Sequence, residues 1–345
     1  MSHPFVTVIV PTRDEERYIA ATLDSILATT YPADRLEVLV VDGQSRDRTP
    51  AVVREYAVRH PAVVLLDNPK RTAPAALNVG IRAARGDIIV RMDAHVVYPA
   101  DYLPRAVAGL VDSGADNVGG VIVTRPGADT PMGRAIALGL SHPFGVGNSY
   151  FRIGTAERRW VDTVPFGCFH RSLFDRIGLF DEELVRNQDD EFNFRIRRRG
   201  GRVLLLPDLV ADYYARPSLR QVARMYFQYG YFKPLVARKL GRVMTVRQLV
   251  PSAFLLTLAG AALLAPWSTW AAVGGGAVAT AYALAVGACA VAAATRHGAR
   301  CGLALGAVFA VLHASYGLGF LRGLIDHVLR RGRVVPDPAA LAPSR

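Results

Sequence analysis

One long uncharged stretch constrains the fold of this chain more than any other feature. Residues 249–294 contain no Asp, Glu, Lys or Arg, whereas charged residues recur throughout residues 1–247. Such a segment is difficult to bury in a water-soluble core, and it is typical of membrane-spanning helices, which need about 20 apolar residues each. The sequence therefore predicts a water-facing part followed by a lipid-facing part.

The uncharged stretch divides into two predicted spans, residues 249–265 and 271–295, with two Trp residues in the turn between them. Trp is enriched at membrane–water interfaces, and basic loops such as residues 296–300 are retained in the cytoplasm. We therefore expect the Trp turn outside and the basic loop inside. A third apolar segment, residues 302–320, either crosses the membrane, re-enters it or lies along its surface. The arginines that follow this segment favour the last two arrangements.

The distribution of charge gives four predicted regions and a location. The net charge is +12, and the basic residues are dense just before the apolar block. This position favours interaction with a membrane surface. No nucleic-acid-binding motif occurs in the sequence. The three scattered cysteines predict neither a zinc site nor a disulfide framework. The predicted spans and the absence of a basic leader from the first residues lead us to expect a multi-pass protein of the cytoplasmic membrane with its water-facing part in the cytoplasm. The regions are a water-facing cytoplasmic domain (1–215), an interfacial helical segment (216–247), a transmembrane region (248–328) and a basic, Pro-rich tail (329–345).

The first 125 residues alternate short apolar runs with segments of helical periodicity. Runs rich in Val, Ile and Leu separated by helices predict strands buried on both faces, as in a largely parallel, Rossmann-like α/β sheet. The predicted strands are residues 5–10, 36–41, 62–66, 87–92 and 117–123.

Acidic residues follow several of these strands. Glu15 comes shortly after the first predicted strand, Asp42 ends the second, and Asp93 ends the fourth. In an open parallel sheet, ligands bind outside the carboxyl ends of the strands near the point where the strand order reverses. We therefore expect these carboxylates at one edge of the sheet.

Asp93 and His95 are the predicted metal ligands. Two ligating side chains two residues apart, just beyond a strand end, can converge on one divalent cation. A cation between a carboxylate and a nucleotide diphosphate removes their mutual repulsion. A hard oxygen together with an imidazole nitrogen suits Mn²⁺ and tolerates Mg²⁺. By itself, this short pattern is also compatible with a solvated loop.

Several segments in a fixed order resemble one known family. They are VIVPTRDEE (8–16), VVDGQSRDRT (40–49), AALNVG (75–80), RGDIIVRMDAH (85–95), FDE (180–182) and QDDEFNFR (188–195). Together they are similar to the inverting family 2 glycosyltransferases with a GT-A fold, over about residues 5–245. An Asp-Ala-His motif followed by a C-terminal membrane region is most similar to the succinoglycan-biosynthesis-type membrane glycosyltransferases of bacterial exopolysaccharide pathways.

The resemblance implies a nucleotide-sugar donor and a set of residues around it. Asp93 would meet the diphosphate through the metal, whereas His95 departs from the family's usual Asp at that position. The implied nucleotide-binding residues are Pro11, Thr12, Glu15, Asp42, Asn78 and Asp93.

The resemblance also implies a general base. Asp189 matches the second position of the family's Glu-Asp motif, in which Gln188 replaces the Glu. A direct displacement at the anomeric carbon requires the acceptor hydroxyl to lose a proton, which a carboxylate can take. Asp190 is a rival base, and an acidic first helical turn without catalytic function remains a further alternative.

Phe166, Gly167 and Gln228 are the predicted acceptor contacts. A plain turn explains Phe166 and Gly167 equally well, and an interfacial helix is the favoured interpretation of the segment around Gln228. The function implied is transfer of a sugar, with UDP-sugar as the expected donor, to a lipid-linked or membrane-proximal saccharide. The expected partners therefore include membrane lipid and exclude nucleic acid. The alternatives are a polyprenyl-phosphate glycosyl synthase and a non-catalytic, membrane-anchored nucleotide-sugar binding module.

Overall fold

A computed structural model describes residues 3–242 and 245–330 of the 345-residue chain. The strands are β1 (Val6–Thr12), β2 (Leu36–Asp42), β3 (Val63–Asp67), β4 (Ile88–Arg91), β5 (Val96–Val97), β6 (Asn117–Arg125), β7 (Arg159–Trp160), β8 (Cys168–His170) and β9 (Val203–Tyr214). The helices are α1 (Ile19–Leu27), α2 (Thr49–Arg59), α3 (Ala73–Ala83), α4 (Tyr102–Ser113), α5 (Pro131–Leu140), α6 (Pro143–Val146), α7 (Tyr150–Ile153), α8 (Ser172–Ile177), α9 (Gln188–Arg198), α10 (Leu219–Leu240), α11 (Val250–Leu264), α12 (Thr269–His297) and α13 (Ala299–Leu324), the last continued by a π-helical turn (Ile325–Leu329). The predicted tail at 329–345 lies outside the described residues except for its first two.

The chain forms two compact units. The first unit comprises Met1–Val123 and Ser149–Tyr214, and the second comprises Thr124–Asn148 and the chain from Ala215 onward. The sequence placed all of residues 1–215 in one domain, whereas the structure groups α5 and α6 with the C-terminal helices. The reason is packing inside the second unit, where α5 lies so close to α13 that a Cβ on Gly139 would come within 2.6 Å of the Val308 side chain.

The first unit is built on a mixed sheet with the strand order β3-β2-β1-β4-β8-β6-β9-β5, and β7 pairs with β9. The β3-β2-β1-β4 half is parallel, as the alternation of strands and helices predicts. The other half differs from the predicted parallel arrangement, because β8 runs antiparallel to both β4 and β6, and β9 runs antiparallel to β5 and β7. The short strands involved are β5 and β7, with two residues each, and β8, with three. Strands of this length are too short to leave a periodic pattern in the sequence.

Helices cover both faces of the parallel half. Val8 and Val10 of β1 point into a core shared with α1, α2 and α4, while Ile9 points into the core on the opposite face, beneath α3 and α9. Each of these side chains is fully buried, and burial of one such side chain contributes about 1.5–3 kcal/mol. This two-sided burial explains why the strand reads as a continuous apolar run rather than an alternating one.

The strand order positions the candidate site. From β1 the chain moves outward through β2 and β3 on one side, and it then returns to place β4 on the other side of β1. The order therefore reverses between β1 and β4, which is where an open α/β sheet binds its ligands. Thr12 lies opposite Asp42 in the β1–β2 register, and Ile9 lies opposite Arg91 in the β1–β4 register.

In the second unit, α10 and α13 cross at close range through three glycines. A Cβ on Gly230 of α10 would come within 2.1 Å of the Tyr316 carbonyl oxygen. Gly319 and Gly323 of α13 similarly face the backbone of α10, where a Cβ added to either glycine would come within 2.1 Å of a carbonyl oxygen. Small residues allow this backbone approach, which is common between helices in membranes.

Two helices among the described residues are long and apolar enough to cross a membrane, namely Thr269–His297 and Ala299–Leu329 including its π turn. The first predicted span corresponds to the shorter apolar helix Val250–Leu264. The third apolar segment, for which the sequence favoured a re-entrant or surface position, lies inside the continuous helix α13.

Candidate active site

The loops after β1 and β2 are joined to each other by hydrogen bonds. The Asp14 amide donates to Oγ of Ser45 at 2.8 Å, and the Arg46 amide donates to Oδ1 of Asp14 at 2.7 Å. The hydroxyl of Ser45 in turn donates to Oδ1 of Asp42 at 2.5 Å, and its amide donates to Oδ2 at 3.0 Å. Asp14 and Gln44 both have left-handed backbones (φ 55° and 56°), a strain of about 1–3 kcal/mol each that is typical of ligand-binding loops. The hydrogen bonds therefore fix the orientation of the Asp42 carboxylate.

Three further predicted nucleotide residues lie on this edge. Pro11 is half-buried near the end of β1, and Thr12 is the last residue of that strand. The hydroxyl oxygen of Thr12 is buried and has no hydrogen-bond partner among the described residues. The Glu15 amide donates to Oγ1 of Thr49 at 2.8 Å, which fixes the loop against the start of α2. The structure therefore brings Pro11, Thr12 and Glu15 to the same edge as Asp42.

The loop after β4 carries Asp93 and His95 and is held at three points. The Asp93 amide donates to the Tyr98 hydroxyl at 2.7 Å, and Oγ1 of Thr22 donates to the Ala94 carbonyl at 2.9 Å. Nδ1 of His95 lies 3.3 Å from Oε1 of Glu15. Burial, together with the nearby Asp93 carboxylate, raises the pKa of Tyr98 well above its ordinary value, so the hydroxyl stays protonated. The loop is thus positioned by contacts with the loop after β1, with α1 and with its own following residues.

Arg91, the last residue of β4, joins two of the predicted functional carboxylates. Its Nε and Nη2 donate to Oδ1 and Oδ2 of Asp93 at 2.8 and 3.1 Å, and its Nη1 donates to Oδ1 of Asp189 at 2.5 Å. The Arg91 residue is only 7% exposed. Both carboxylates raise the pKa of the guanidinium further above its ordinary value against the opposing effect of burial, so Arg91 stays charged. A single buried cation therefore places Asp93 and Asp189 at one site.

Asp189 lies in the first turn of α9 and has one oxygen available for chemistry. Arg91 occupies Oδ1, and within residues 3–242 and 245–330 no other group hydrogen-bonds this carboxylate. The side chain is 32% exposed. Partial burial and the neighbouring Asp93 and Asp190 carboxylates raise its pKa above the ordinary 3.8, although Arg91 opposes the shift. A carboxylate held at one oxygen, with a raised pKa, is suited to accept a proton at the other oxygen.

The residues around Asp93 fit a metal that is shared with a substrate rather than one held by protein alone. No cluster of three or more His, Cys, Asp or Glu side chains that could hold a metal occurs in the described parts of the chain. Hard divalent cations that bind nucleotide phosphates commonly use only one or two carboxylates from the protein. Asp93 satisfies that requirement, whereas Nδ1 of His95 already faces Glu15, so ligation by His95 would have to use Nε2.

Asn78 is buried, and its side-chain amide is hydrogen-bonded within the protein. Its amide nitrogen donates to the Phe180 carbonyl and to Oε1 of Glu182, both at 2.9 Å, and its amide oxygen accepts from the Phe180 backbone at 2.9 Å. Glu182 also accepts from Nζ of Lys70 at 2.5 Å. The structure thus assigns Asn78 to anchoring the segment around Phe180 and Glu182, a position that its sequence motif alone did not indicate.

The predicted acceptor residues lie in different parts of the chain. Phe166 is buried with a left-handed backbone (φ 49°), and Gly167 accepts from the Arg91 amide through its carbonyl at 3.0 Å. A Cβ on Gly167 would lie 2.2 Å from the Phe169 ring, so only glycine fits there. Gln228 is buried in α10, in the second unit. Phe166 and Gly167 are therefore neighbours of the Arg91 strand, and the structure does not group Gln228 with them.

Sequence reasoning missed Arg91 as a member of the site. A signal was present, because an arginine ends an otherwise apolar buried strand, and a charged residue at such a position requires a partner. Its partners could not be read from the sequence, since Asp189 is 98 residues further along the chain.

Comparison with known proteins identifies the family. Residues 7–179 match the family model described as glycosyl transferase family 2. The chain belongs to this family. The resemblance seen in the sequence motifs is confirmed, and so is the predicted GT-A fold.

Two curated relatives match most of the length of this glycosyltransferase. The succinoglycan biosynthesis protein ExoA of Rhizobium meliloti (strain 1021) is 30% identical over 275 residues, which cover 77% of this chain and 82% of the relative. A dolichyl N-acetyl-alpha-D-glucosaminyl phosphate 3-beta-D-2,3-diacetamido-2,3-dideoxy-beta-D-glucuronosyltransferase of Methanococcus voltae is 29% identical over 263 residues, covering 74% and 80% respectively.

Among solved structures, this chain is similar over nearly its whole length to the mannosyltransferase PcManGT from Pyrobaculum calidifontis. That structure was determined in complex with GDP-Man and Mn²⁺. The TM-score is 0.61 with 26% sequence identity, and the match covers 94% of this chain and 88% of that chain. The similarity therefore extends beyond the first unit into the C-terminal helices.

Proposed function

We propose that this glycosyltransferase moves a sugar from a nucleoside diphosphate sugar to an acceptor hydroxyl at a membrane surface, with inversion at the anomeric carbon. The observation that carries the proposal is the pair of carboxylates, Asp93 and Asp189, that contact one guanidinium. Carboxylates so placed can serve the two ends of a direct displacement, one beside the leaving diphosphate and one beside the attacking hydroxyl.

The nucleotide is proposed to lie against the bonded loops after β1 and β2. Asp42, oriented by Ser45, can accept a hydrogen bond from a ring N–H of the base, and Pro11 and Thr12 form the adjoining wall. A UDP-sugar is the proposed donor. A structural neighbour was solved with GDP-Man, so the assay must also include guanosine donors.

Asp93 is proposed to hold Mn²⁺ or Mg²⁺ together with the donor diphosphate. Such an ion, when bound, neutralises negative charge on the departing diphosphate. The structural neighbour that was solved with Mn²⁺ supports divalent metal use. His95 is the second proposed ligand, through Nε2, because Glu15 faces its Nδ1 and fixes the ring.

Asp189 is proposed to take the proton of the acceptor hydroxyl. Arg91 holds Oδ1, so Oδ2 is the oxygen that receives the proton as the hydroxyl oxygen forms its bond to the anomeric carbon. The bond from that carbon to the diphosphate oxygen breaks in the same displacement. Attack from the face opposite the leaving group inverts the configuration of the sugar.

The acceptor is proposed to be a lipid-linked saccharide. The Methanococcus voltae relative is named for a dolichyl-linked phosphate acceptor, and the described residues include two helices able to cross a membrane. Large apolar side chains on α12 point outward, with Leu284 69% and Val291 66% exposed. Apolar surface of this extent supports contact with lipid.

Topology can be tested with introduced cysteines. Thr269 begins α12 beside the Trp turn, and Ala299 begins α13 within the basic segment 296–300, and both are exposed. In a background lacking the three native cysteines, an impermeant thiol reagent should label Thr269→Cys in intact cells and should label Ala299→Cys only after lysis, because basic loops stay in the cytoplasm. These positions avoid Ser268, which caps α12, and Gly298, whose φ is +89°. The opposite labelling pattern would invert the proposed topology.

The activity test is a screen of nucleotide sugars with purified protein in a membrane mimetic. We expect Mn²⁺-dependent release of a nucleoside diphosphate from one class of donor and, with a lipid-linked saccharide, a product heavier by one sugar residue. A product in which the sugar is joined directly to polyprenyl phosphate would instead identify the synthase alternative. Donor binding without hydrolysis or transfer for any acceptor would identify a non-catalytic binding module.

A further inference from the structure

Arg91 occupies the atoms that the proposed metal needs. Its Nε and Nη2 face both oxygens of Asp93 at 2.8 and 3.1 Å, which is a side-on, bidentate pair. Pairs of this geometry are among the strongest hydrogen-bonded ion pairs in proteins. A divalent cation coordinated by Asp93 must bind one of these two oxygens and would lie close to the positively charged guanidinium, so metal and guanidinium compete for one carboxylate.

The backbone of Arg91 cannot move to relieve this competition. Its amide donates to the Gly167 carbonyl at 3.0 Å, and the strand is parallel to β1 in a register that places Arg91 opposite Ile9. Gly167 is itself closely packed, because a Cβ added to it would lie 2.2 Å from the Phe169 ring. Any exchange of partners is therefore confined to the guanidinium and to the Asp93 side chain.

The third donor of Arg91 has a different partner. Nη1 contacts Oδ1 of Asp189 at 2.5 Å, on the side of the guanidinium away from Nε. Asp189 belongs to a different element, α9, whose position is fixed by other contacts, including the buried bond between Asn193 and Asn117. Loss of the Asp93 pair therefore does not require loss of the Asp189 pair.

We propose that Arg91 is a positioning residue that exchanges partners: it holds Asp93 until the metal–nucleotide complex binds, then releases Asp93 while it continues to orient Asp189. The inference rests on the proposed function, since it takes Asp93 as the metal ligand and Asp189 as the base. Its consequence is that Arg91 opposes metal binding and supports the chemical step. Replacing a residue that is needed only for folding would not strengthen metal binding and slow the chemical step at the same time.

The test measures metal coupling and turnover separately. Metal coupling is the ratio of the dissociation constants of UDP in EDTA and in Mn²⁺, determined by calorimetry without turnover; GDP replaces UDP if it binds the wild-type protein more tightly. Arg91→Gln should raise this ratio at least about fivefold, the lower end of ordinary coupling between sites, because the competitor for Asp93 is removed. It should lower kcat at least about tenfold, because Asp189 loses the donor that orients it.

Two further variants keep the test decisive. Arg91→Lys retains the charge but lacks the planar fork, so it should shift both quantities in the same directions by smaller factors, and it serves if Arg91→Gln unfolds. Arg85→Gln is the matched control, because Nε of Arg85 donates to buried Glu37 at 2.7 Å in the same unit, and neither residue belongs to the proposed site. This control should change neither the ratio nor kcat.

The outcomes separate the inference from the proposed function. A metal-coupling ratio that stays equal or falls in both Arg91 variants, while Asp93→Ala removes the coupling, overturns the partner exchange and leaves the metal site intact. A ratio that Asp93→Ala does not change overturns the metal role of Asp93, and the inference fails with it. A raised ratio with undiminished kcat shows that Arg91 does not position Asp189, and it also overturns the inference.

Discussion

Asp189→Asn is expected to lower kcat by at least about 10²-fold while UDP affinity stays nearly unchanged, because the amide keeps the size of the carboxylate but cannot accept a proton at neutral pH. The Nη1 donor of Arg91 can still bond the Asn oxygen in place of Oδ1, so the start of α9 should keep its position. Steady-state transfer and calorimetric UDP binding, measured on the same preparations, provide the comparison.

Asp190→Asn is the matched control for this prediction. The two carboxylates are adjacent in the first turn of α9, but it is Asp189 whose Oδ1 bonds Arg91. We expect a milder loss from Asp190→Asn. Full activity in Asp189→Asn would remove it from the mechanism, and an inactive Asp190→Asn in the same experiment would move the base by one residue.

The pH profile adds a second signature of the base. Because the pKa of Asp189 is raised above 3.8 by partial burial and by the neighbouring carboxylates, its ionised fraction falls at a higher pH than that of an ordinary Asp. The wild-type kcat/KM should therefore fall on the acid side as Asp189 becomes protonated. The residual activity of Asp189→Asn should lack that acid limb.

The parallel half of the sheet was predictable because each strand is buried on both faces. A run such as that of β1, with Val8, Ile9 and Val10 all fully buried, produces an apolar signal that survives without an alignment. The antiparallel half was not predictable in this way. β7 has two residues and β8 three, and β8 forms part of the sheet through its pairing with β4, which is far away in the sequence.

The position of a site residue could be predicted where the residue lies at the end of a predicted strand. It was harder to predict where the role of a residue depends on a side chain far away in the sequence. Asp42 and Asp93 could be placed at one edge because the carboxyl ends of parallel strands meet there. Arg91 was not assigned and the contacts of Asn78 were not foreseen, because their bonds to Asp189 and Phe180 join residues 98 and 102 positions apart. Long-range side-chain pairs of this kind leave no periodic pattern in the sequence.

Asp93→Ala is expected to abolish the effect of Mn²⁺ on UDP binding and to lower kcat by at least about 10²-fold, since a metal that neutralises a leaving diphosphate contributes several kcal/mol. The protein should remain folded, because Arg91 keeps Asp189 as a partner for its buried charge. Calorimetric titration of UDP with Mn²⁺ and with EDTA is the measurement, and thermal unfolding of the same sample checks the fold.

Asp67→Ala is the appropriate control, because Asp67 also ends a strand of the parallel half and lies opposite Asp42 in the β2–β3 register, yet it is exposed at the edge strand. If charge at the strand ends acted only by general electrostatic attraction for the cation, both substitutions would weaken Mn²⁺-dependent binding to a similar extent. Coordination by one carboxylate predicts a loss in Asp93→Ala alone. Equal metal dependence in the wild-type protein and in Asp93→Ala would place the cation elsewhere. The role of Asp93 would then be limited to its ion pair with Arg91.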